Sequence, residues 1–238
     1  MKETIYNYNQ LMLMLDEFLR EPTLFWDEFY SDRDKPVPFF ENAPDENLVA
    51  YLDEGLISKG KVLELGCGPG RNAIYLAEKG WEVDAVDLSE TSLEWAKERA
   101  QEKKLHVKFI KENIFDLDVE KGTYDLVYDS GCFHHIAPHR RMCYINLIRK
   151  ALKPERWFAI TCFVKGGRFG GAEMTDWEVY REKSLKGGLG FTEETLKKIF
   201  HQFQPIQIRK MKETADSEPV FGIPDLLTAL FRYKRSIS

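Results

Sequence analysis

The chain has 238 residues, 43% hydrophobic and 31% charged, a composition that suits one α/β domain with an appendage and excludes a disordered chain. Its formal net charge of −5 points away from a nucleic-acid binder, whose affinity rests on basic groups that displace phosphate counterions, and towards a small-molecule partner. Cys67, Cys132, Cys143 and Cys162 share no CxxC spacing, so no metal or redox pair is expected, and reduced thiols in a cytoplasmic protein are.

In chain order, residues 1–57 read as helical or irregular and rich in aromatics: Phe25, Trp26, Phe29, Tyr30, Phe39 and Phe40. The apolar run Leu11–Leu15 is too short to span a membrane and lacks the flanks of a signal peptide. It reads as part of an amphipathic helix through Phe18 and Leu19, and no membrane partner is expected. From Lys61 onward, short apolar runs alternate with longer helical patterns, the signature of a parallel sheet with crossover helices. The expected strands are Lys61–Leu65, Glu82–Asp87, Val107–Lys111, Tyr124–Asp129 and Trp157–Phe163. Helices are expected at about Arg71–Lys79, Glu90–Lys103 and Pro138–Leu152, with Ser89 as an N-cap and Gly80 as a C-terminal stop. Two glycine clusters bound residues 166–190, read as a long surface excursion and a candidate lid. A helix follows to Phe200, with Thr192 as its cap. Ile206–Lys210 and Leu226–Tyr233 have no helix-length segment between them and are expected to pair antiparallel.

The stretch LELGCGPGRN carries the first chemical signal. Gly66, Gly68 and Gly70 follow an apolar strand and precede a helix. Glycine there lets the backbone take positive φ and approach a ligand, and the helix N-terminus behind it favours acceptor and anionic groups. The dinucleotide fingerprint G-x-G-x-x-G/A fails, because its last position is Arg71. The Walker pattern fails too, since no Gly-Lys-Ser/Thr follows. What remains is an acidic residue, Glu64, two positions before Gly-x-Gly-x-Gly.

The segment VLELGCGPGRNAIYLAEKGWEVDAVDLSETSLEWAKERA resembles the cofactor half of class I S-adenosylmethionine-dependent methyltransferases, in register over about residues 45–165. The resemblance implies a Rossmann-like α/β fold with seven strands in the order 3-2-1-4-5-7-6, the last antiparallel. It also implies helices on both faces, and the chain divides into an N-terminal cap over 1–44 and a methyltransferase domain over 45–238. The cofactor it implies is S-adenosylmethionine. The residues that would bind it are Glu64, Gly66, Cys67, Gly68 and Gly70 at the turn, Asp87 and Leu88 after strand two, Asn113 and Ile114 after strand three, and Asp129 at the end of strand four. Among these, Asp87 would hold the ribose, Asn113 and Ile114 would read the adenine, and Glu64 would orient the turn and its amines.

DSGCFHHIAPHRRMCYINLIRKALKP and the upstream FWDEFYSDRDKPVPFF resemble the branch that methylates thiopurines, thiols, halides and tellurite. By position this brings Trp26, Tyr30 and Phe39 to the cofactor or acceptor, with Trp177 and Tyr180 of the late excursion as further covering residues. His134 and His135, after strand four, are candidate general bases. A metal site at His134, His135 and His139 has the right residue types but lacks an adjacent acidic ligand, and none is expected. Strand four lacks Asn-Pro-Pro-Tyr, which disfavours methylation of base or glutamine amides. The expected activity is methyl transfer to a small molecule such as a thiol, halide or metalloid. The alternatives are a non-catalytic S-adenosylmethionine-binding protein and an NAD-type dehydrogenase. The acceptor and the oligomeric state are not legible.

Overall fold

A computed structural model describes residues 4–215 and 217–234; the ends of the two expected segments, 1–44 and 45–238, reach beyond them. Seven strands form one sheet in the order β3-β2-β1-β4-β5-β7-β6. They are β1 Lys61–Leu65, β2 Glu82–Asp87, β3 Lys108–Lys111, β4 Tyr124–Ser130, β5 Leu152–Phe163, β6 Gln204–Lys210 and β7 Leu226–Arg232. β1 to β5 run parallel, and β7 lies antiparallel between β5 and β6. Both the order and the reversed last strand agree with expectation.

Alternation along the strands splits the core into two layers. Leu63, Leu65, Val127 and Phe158 face one side, with Phe133, Tyr144 and Phe200 stacked on them. Val62, Leu126, Ala159 and Leu230 face the other, against Leu48, Leu76 and Leu93. Glu64 shares the second face but sits one step from the strand's end, where the covering helices stop.

The connecting helices begin and end where their local chemistry says. α4 (Arg71–Glu78) starts directly after Gly70. α5 (Glu90–Glu102) is capped by Ser89, whose side chain accepts from Ser92 N–H. The expected helix Pro138–Leu152 divides into a 3-10 turn, Pro138–Arg140, and an α-helix, Arg141–Ala151. β5 begins at Leu152, ahead of the expected strand Trp157–Phe163. Leu152 pairs with Tyr124, the register shifts, and Glu155 takes φ +62° before pairing resumes at Trp157.

The excursion after β5 is more ordered than a loop. It contains the helix Asp176–Glu182, started by a capping box between Thr175 and Glu178, and it is bridged at Ala172 to Leu189. The helix Glu193–Ile199 then starts at Thr192, as expected.

Before β1 lie the helices α1 Tyr8–Asp16, α2 Pro22–Ser31 and α3 Glu46–Asp53 and a 3-10 turn, Pro38–Phe40. The Pro22–Ser31 helix, called the cap helix below, is fixed to α5. Asp27 accepts from Ser89 Oγ at 2.6 Å and Thr91 N at 3.2 Å, a carboxylate at a helix N-terminus. Phe40 packs edge-on to Trp95, with ring centroids 5.1 Å apart.

Candidate functional site

A cavity of about 1080 Å³ lies between the cap helix and the carboxyl ends of β1, β2 and β4. That is the place where open α/β sheets bind ligands, and the volume is at the upper end of what one small ligand fills.

The three glycines of the turn have different work. Gly66 and Gly68 reach the cavity wall, together with Cys67. Gly68 takes φ +51°, and a Cβ there would come within 2.9 Å of the Tyr30 hydroxyl. Gly70 is not on the wall. Its φ is +79°, and a Cβ would lie 2.9 Å from the Ala96 Cβ. Gly70 therefore lets α4 start close against α5, and of the three glycines it is the one the structure does not bring to the cavity. Burial pushes the Cys67 thiol up, so it is a neutral wall atom.

Glu64 is 2% exposed, and among the described residues its Oε2 has no hydrogen-bond partner. Burial pushes its carboxyl up to about 8, against the pull of Arg71. An unpartnered buried carboxyl oxygen on a cavity wall is a place for a cationic or N–H-bearing ligand group. Asp87 accepts from Gly68 N at 2.8 Å through one oxygen and from Ser89 N at 2.9 Å through the other. It ties the glycine turn to the end of β2. Burial raises its pKa despite these bonds. Leu88, Asn113 and Ile114 also lie on the wall. Asn113 uses its side-chain oxygen to accept from Phe115 N at 3.0 Å, which keeps its amide NH₂ for another partner.

Asp129 departs from expectation. It is fully buried and absent from the cavity wall. One oxygen accepts from Cys132 N and Phe133 N, at 2.9 and 3.3 Å, and the other from the Tyr144 hydroxyl at 2.6 Å. With both oxygens accepting from these inward donors, it shapes the loop after β4. Burial pushes its carboxyl up to about 7. Ser130, Gly131 and Cys132 line the cavity in its place.

Arg71 has a role that sequence reading missed. Its guanidinium donates to Ala43 O at 2.9 Å and Ser130 Oγ at 3.1 Å, and it pairs with Asp45 at 2.5 Å. Asp45 also accepts from the Tyr128 hydroxyl at 2.5 Å. This buried network joins the entry to the Glu46–Asp53 helix, the start of α4 and the end of β4. Removing one member of such a pair costs about 3–5 kcal/mol, because the other charge is left buried. No local signal predicts it, since its partners are remote in sequence.

His134 and His135 occupy the 3-10 turn Phe133–His135. His134 accepts from Phe163 N through Nδ1 at 3.3 Å and stacks on the Phe163 ring at 3.8 Å. Burial holds its pKa well below the usual imidazole range. His135 meets the Trp26 ring edge-on at 4.7 Å. Burial, with the nearby Arg20 charge, pushes it down to about 3. Both rings are neutral near pH 7 and are weak bases. His139 points elsewhere, bonded to Asp16 and to the Tyr180 hydroxyl, both at 2.8 Å.

Trp26, Tyr30 and Phe39 all line the cavity, stacked as Trp26 on Tyr30 at 5.9 Å and Phe29 on Phe39 at 6.2 Å. Trp177 does not; it is 77% exposed, on a helix whose buried residue is Val179. Tyr180 is also off the wall, with its hydroxyl held by His139. The excursion reaches the cavity through Phe169, Leu185 and Gly187 instead.

The sheet order is that of the class I S-adenosylmethionine-dependent methyltransferase fold. Residues 62–155 match the family model described as a methyltransferase domain, and S-adenosylmethionine is the cofactor of this class. An uncharacterised methyltransferase of Schizosaccharomyces pombe is 40% identical over 85 residues, 34% of this chain and 59% of that protein. The 2-heptyl-1-hydroxyquinolin-4(1H)-one methyltransferase of Mycobacteroides abscessus is 29% identical over 54% of this chain and 56% of its own length. The chain thus spans little more than half the length of these relatives. Among solved structures, the 1,6-didemethyltoxoflavin-N1-methyltransferase of Burkholderia thailandensis superposes with a TM-score of 0.65 at 24% identity, over 98% of this chain and 93% of that one. A structure from work on conversion of a disulfide bond into a thioacetal group in echinomycin biosynthesis gives 0.71 at 21% identity, over 92% and 94%. At these identities the solved structures show the shared fold. The domain match sets aside the dehydrogenase alternative.

Proposed function

We propose that the protein transfers the methyl group of S-adenosylmethionine to a small organic acceptor bound under the cap helix. The observation that carries this reading is a single cavity joining the glycine turn, Asp87, Asn113 and the aromatic cap. The unpartnered Glu64 oxygen supports the fit, because the cofactor bears an ammonium and a sulfonium. In this reading Glu64 faces the cofactor's cationic end, Asp87 holds the ribose hydroxyls, and Asn113 with Ile114 meets the adenine. Residues 1–44 act as the cap.

When bound, S-adenosylmethionine supplies an electrophilic methyl group on sulfur. The chain's own contribution is placement. A nucleophile must come within about 3–3.5 Å of the methyl carbon, in line. Trp26, Tyr30 and Phe39 exclude water and restrict the acceptor's orientation. His134 and His135, neutral and weakly basic, suit an acceptor that arrives already deprotonated or carries a free lone pair. An apolar, aromatic wall of this volume favours an organic acceptor over a halide or metalloid oxyanion, which strong hydration would keep in water. Four free cysteines suit a reducing, cytoplasmic setting, and the net charge of −5 favours a small acceptor over nucleic acid.

Calorimetric titration with S-adenosylmethionine, followed by labelled methyl transfer to a panel of aromatic thiols, phenols and heterocyclic amines, tests the reading. Binding with transfer to at least one acceptor is expected. Asp87→Ala should weaken cofactor binding by about 1–3 kcal/mol through loss of charge-assisted hydrogen bonds. An unchanged affinity in that variant removes the ribose assignment. Tight binding with no transfer to any acceptor favours the non-catalytic alternative.

A further inference from the structure

The part of the cavity around Arg20 has its own chemistry. Phe25 and Trp26 of the cap helix and His135 after β4 line it, with Trp26 edge-on to both Phe25 and His135. Three arginines line the cavity: Arg20, Arg71 and Arg140. Arg71 is paired with Asp45 and Arg140 with Asp16. Among the described residues Arg20 makes no ion pair or hydrogen bond; its contact is the Phe25 ring, 3.2 Å from the guanidinium carbon to the ring centroid.

The neighbouring carboxylates do not serve it. Asp16 is held by Arg140 and His139. Glu21, next in sequence, caps the cap helix by accepting from Thr23 N and Leu24 N, each at 2.9 Å. Glu17 is exposed and forms no ion pair with Arg20. A guanidinium stacked on an aromatic ring keeps its in-plane N–H fork for a planar, bidentate acceptor. The flat aromatic walls beside it suit a flat ring.

We infer that this part of the cavity takes an acceptor with a planar aromatic body bearing a carboxylate, with Arg20 as its counter-ion and Phe25 and Trp26 against its ring. The inference rests on the proposed function, which puts the acceptor under the cap helix. Arg20 is then a specificity-determining residue, remote from the reacting atom. The lowered pKa of His135, to which the Arg20 charge contributes, agrees with a cation near the acceptor's ring.

The test compares naphthalene-2-carboxylate with 2-naphthamide, which share shape and differ in charge, by calorimetry on the wild-type chain and on Arg20→Met and Arg20→Lys. The carboxylate is expected to bind about ten-fold more tightly than the amide, as one charge-assisted pair provides. That preference should fall to within about two-fold in Arg20→Met and be partly kept in Arg20→Lys. Equal binding of the two probes, no binding of the carboxylate, or a preference that survives Arg20→Met overturns the inference. Arg20 is an exposed residue of the cavity lining, and unchanged melting of the variants shows that the readout is not a folding defect. S-adenosylmethionine titrated into the same wild-type sample separates the two failures. Cofactor binding without carboxylate preference sinks this inference alone, and carboxylate preference without cofactor binding sinks the methyltransferase reading.

Discussion

Gly68 shows how one atom's absence sets the site. At φ +51° an L side chain is strained, and its Cβ would press the Tyr30 hydroxyl at 2.9 Å. Tyr30 is buried and cannot swing into water. Gly68→Ala should therefore destabilise the protein by about 1–2 kcal/mol, the cost of placing a Cβ in the left-handed region, plus whatever shift Tyr30 makes. A double-mutant cycle in urea with Tyr30→Phe separates the two parts. Part of the loss should be recovered when the hydroxyl is removed, and equal losses in both backgrounds would show that the contact is not felt. Gly70 has a similar φ and a different reason, packing on Ala96. The sequence made the two glycines look alike because both fall on the same alternate spacing, while the side chains opposite them come from elements far apart in the chain.

At the scale of elements, the cap helix is held to α5 near its middle and carries aromatics towards the cavity. Asp27 joins it to the N-terminus of α5 through Ser89 and Thr91. Ser89 is itself the cap of α5, so one carboxylate serves two helices. Hydrogen bonds accepted by the Asp27 carboxylate hold its pKa below the usual range, although burial opposes them. Asp27→Ala should cost about 0.5–2 kcal/mol, in the range of a lost helix cap. It should also raise proteolysis within 1–44 ahead of the rest of the chain, since the β-sheet core does not depend on it. Uniform cleavage along the chain, or an unchanged cleavage rate, would refute the latch. The excursion after β5 teaches a related lesson. Its tryptophan looked like a covering residue, but the Thr175–Glu178 capping box sets the start of the helix Asp176–Glu182, and Val179 is its buried residue. Trp177 then faces solvent. Helix phase is a local signal, but which face docks is decided by the partner surface.

For the whole molecule, the buried carboxyls give the unliganded protein a definite pH dependence. Glu64 is pushed up to about 8 and Asp129 to about 7, both by burial. Their folded pKa values exceed the ordinary carboxyl range, so the folded state holds protons that the unfolded state has released. That contribution to stability is fully present below the unfolded pKa and is lost as pH rises through the folded values. Below about pH 6.5 the depressed His134 and His135 act in the opposite sense, since the unfolded state then holds their protons. Melting temperature of the unliganded chain should therefore fall between about pH 6.5 and pH 8, and Glu64→Gln should flatten that slope. A slope unchanged in Glu64→Gln assigns the proton elsewhere. A cationic ligand group beside Glu64 favours its charged form, so S-adenosylmethionine binding near pH 7 should release protons. Calorimetry in two buffers of different ionisation enthalpy measures this, and buffer-independent heat contradicts it.

Through its resemblance to the class I methyltransferases the sequence implied the strand order and the places of Asp87, Asn113 and the cap aromatics; by itself it determined the strand positions, the glycine turn after β1, and the caps Ser89 and Thr192. These are local signals: alternation, capping chemistry and spacing within one βα unit, each readable because neighbours in the chain remain neighbours in space. Only the tertiary structure decided that Asp129 turns inward to Tyr144, that Arg71 closes a buried network with Asp45 and Ser130, that Trp177 faces solvent, and that Arg20 is left without a carboxylate. Each of these depends on which remote side chain stands opposite, and a buried charge is satisfied by whatever group the fold brings within hydrogen-bond reach, a pairing that no spacing along the chain encodes.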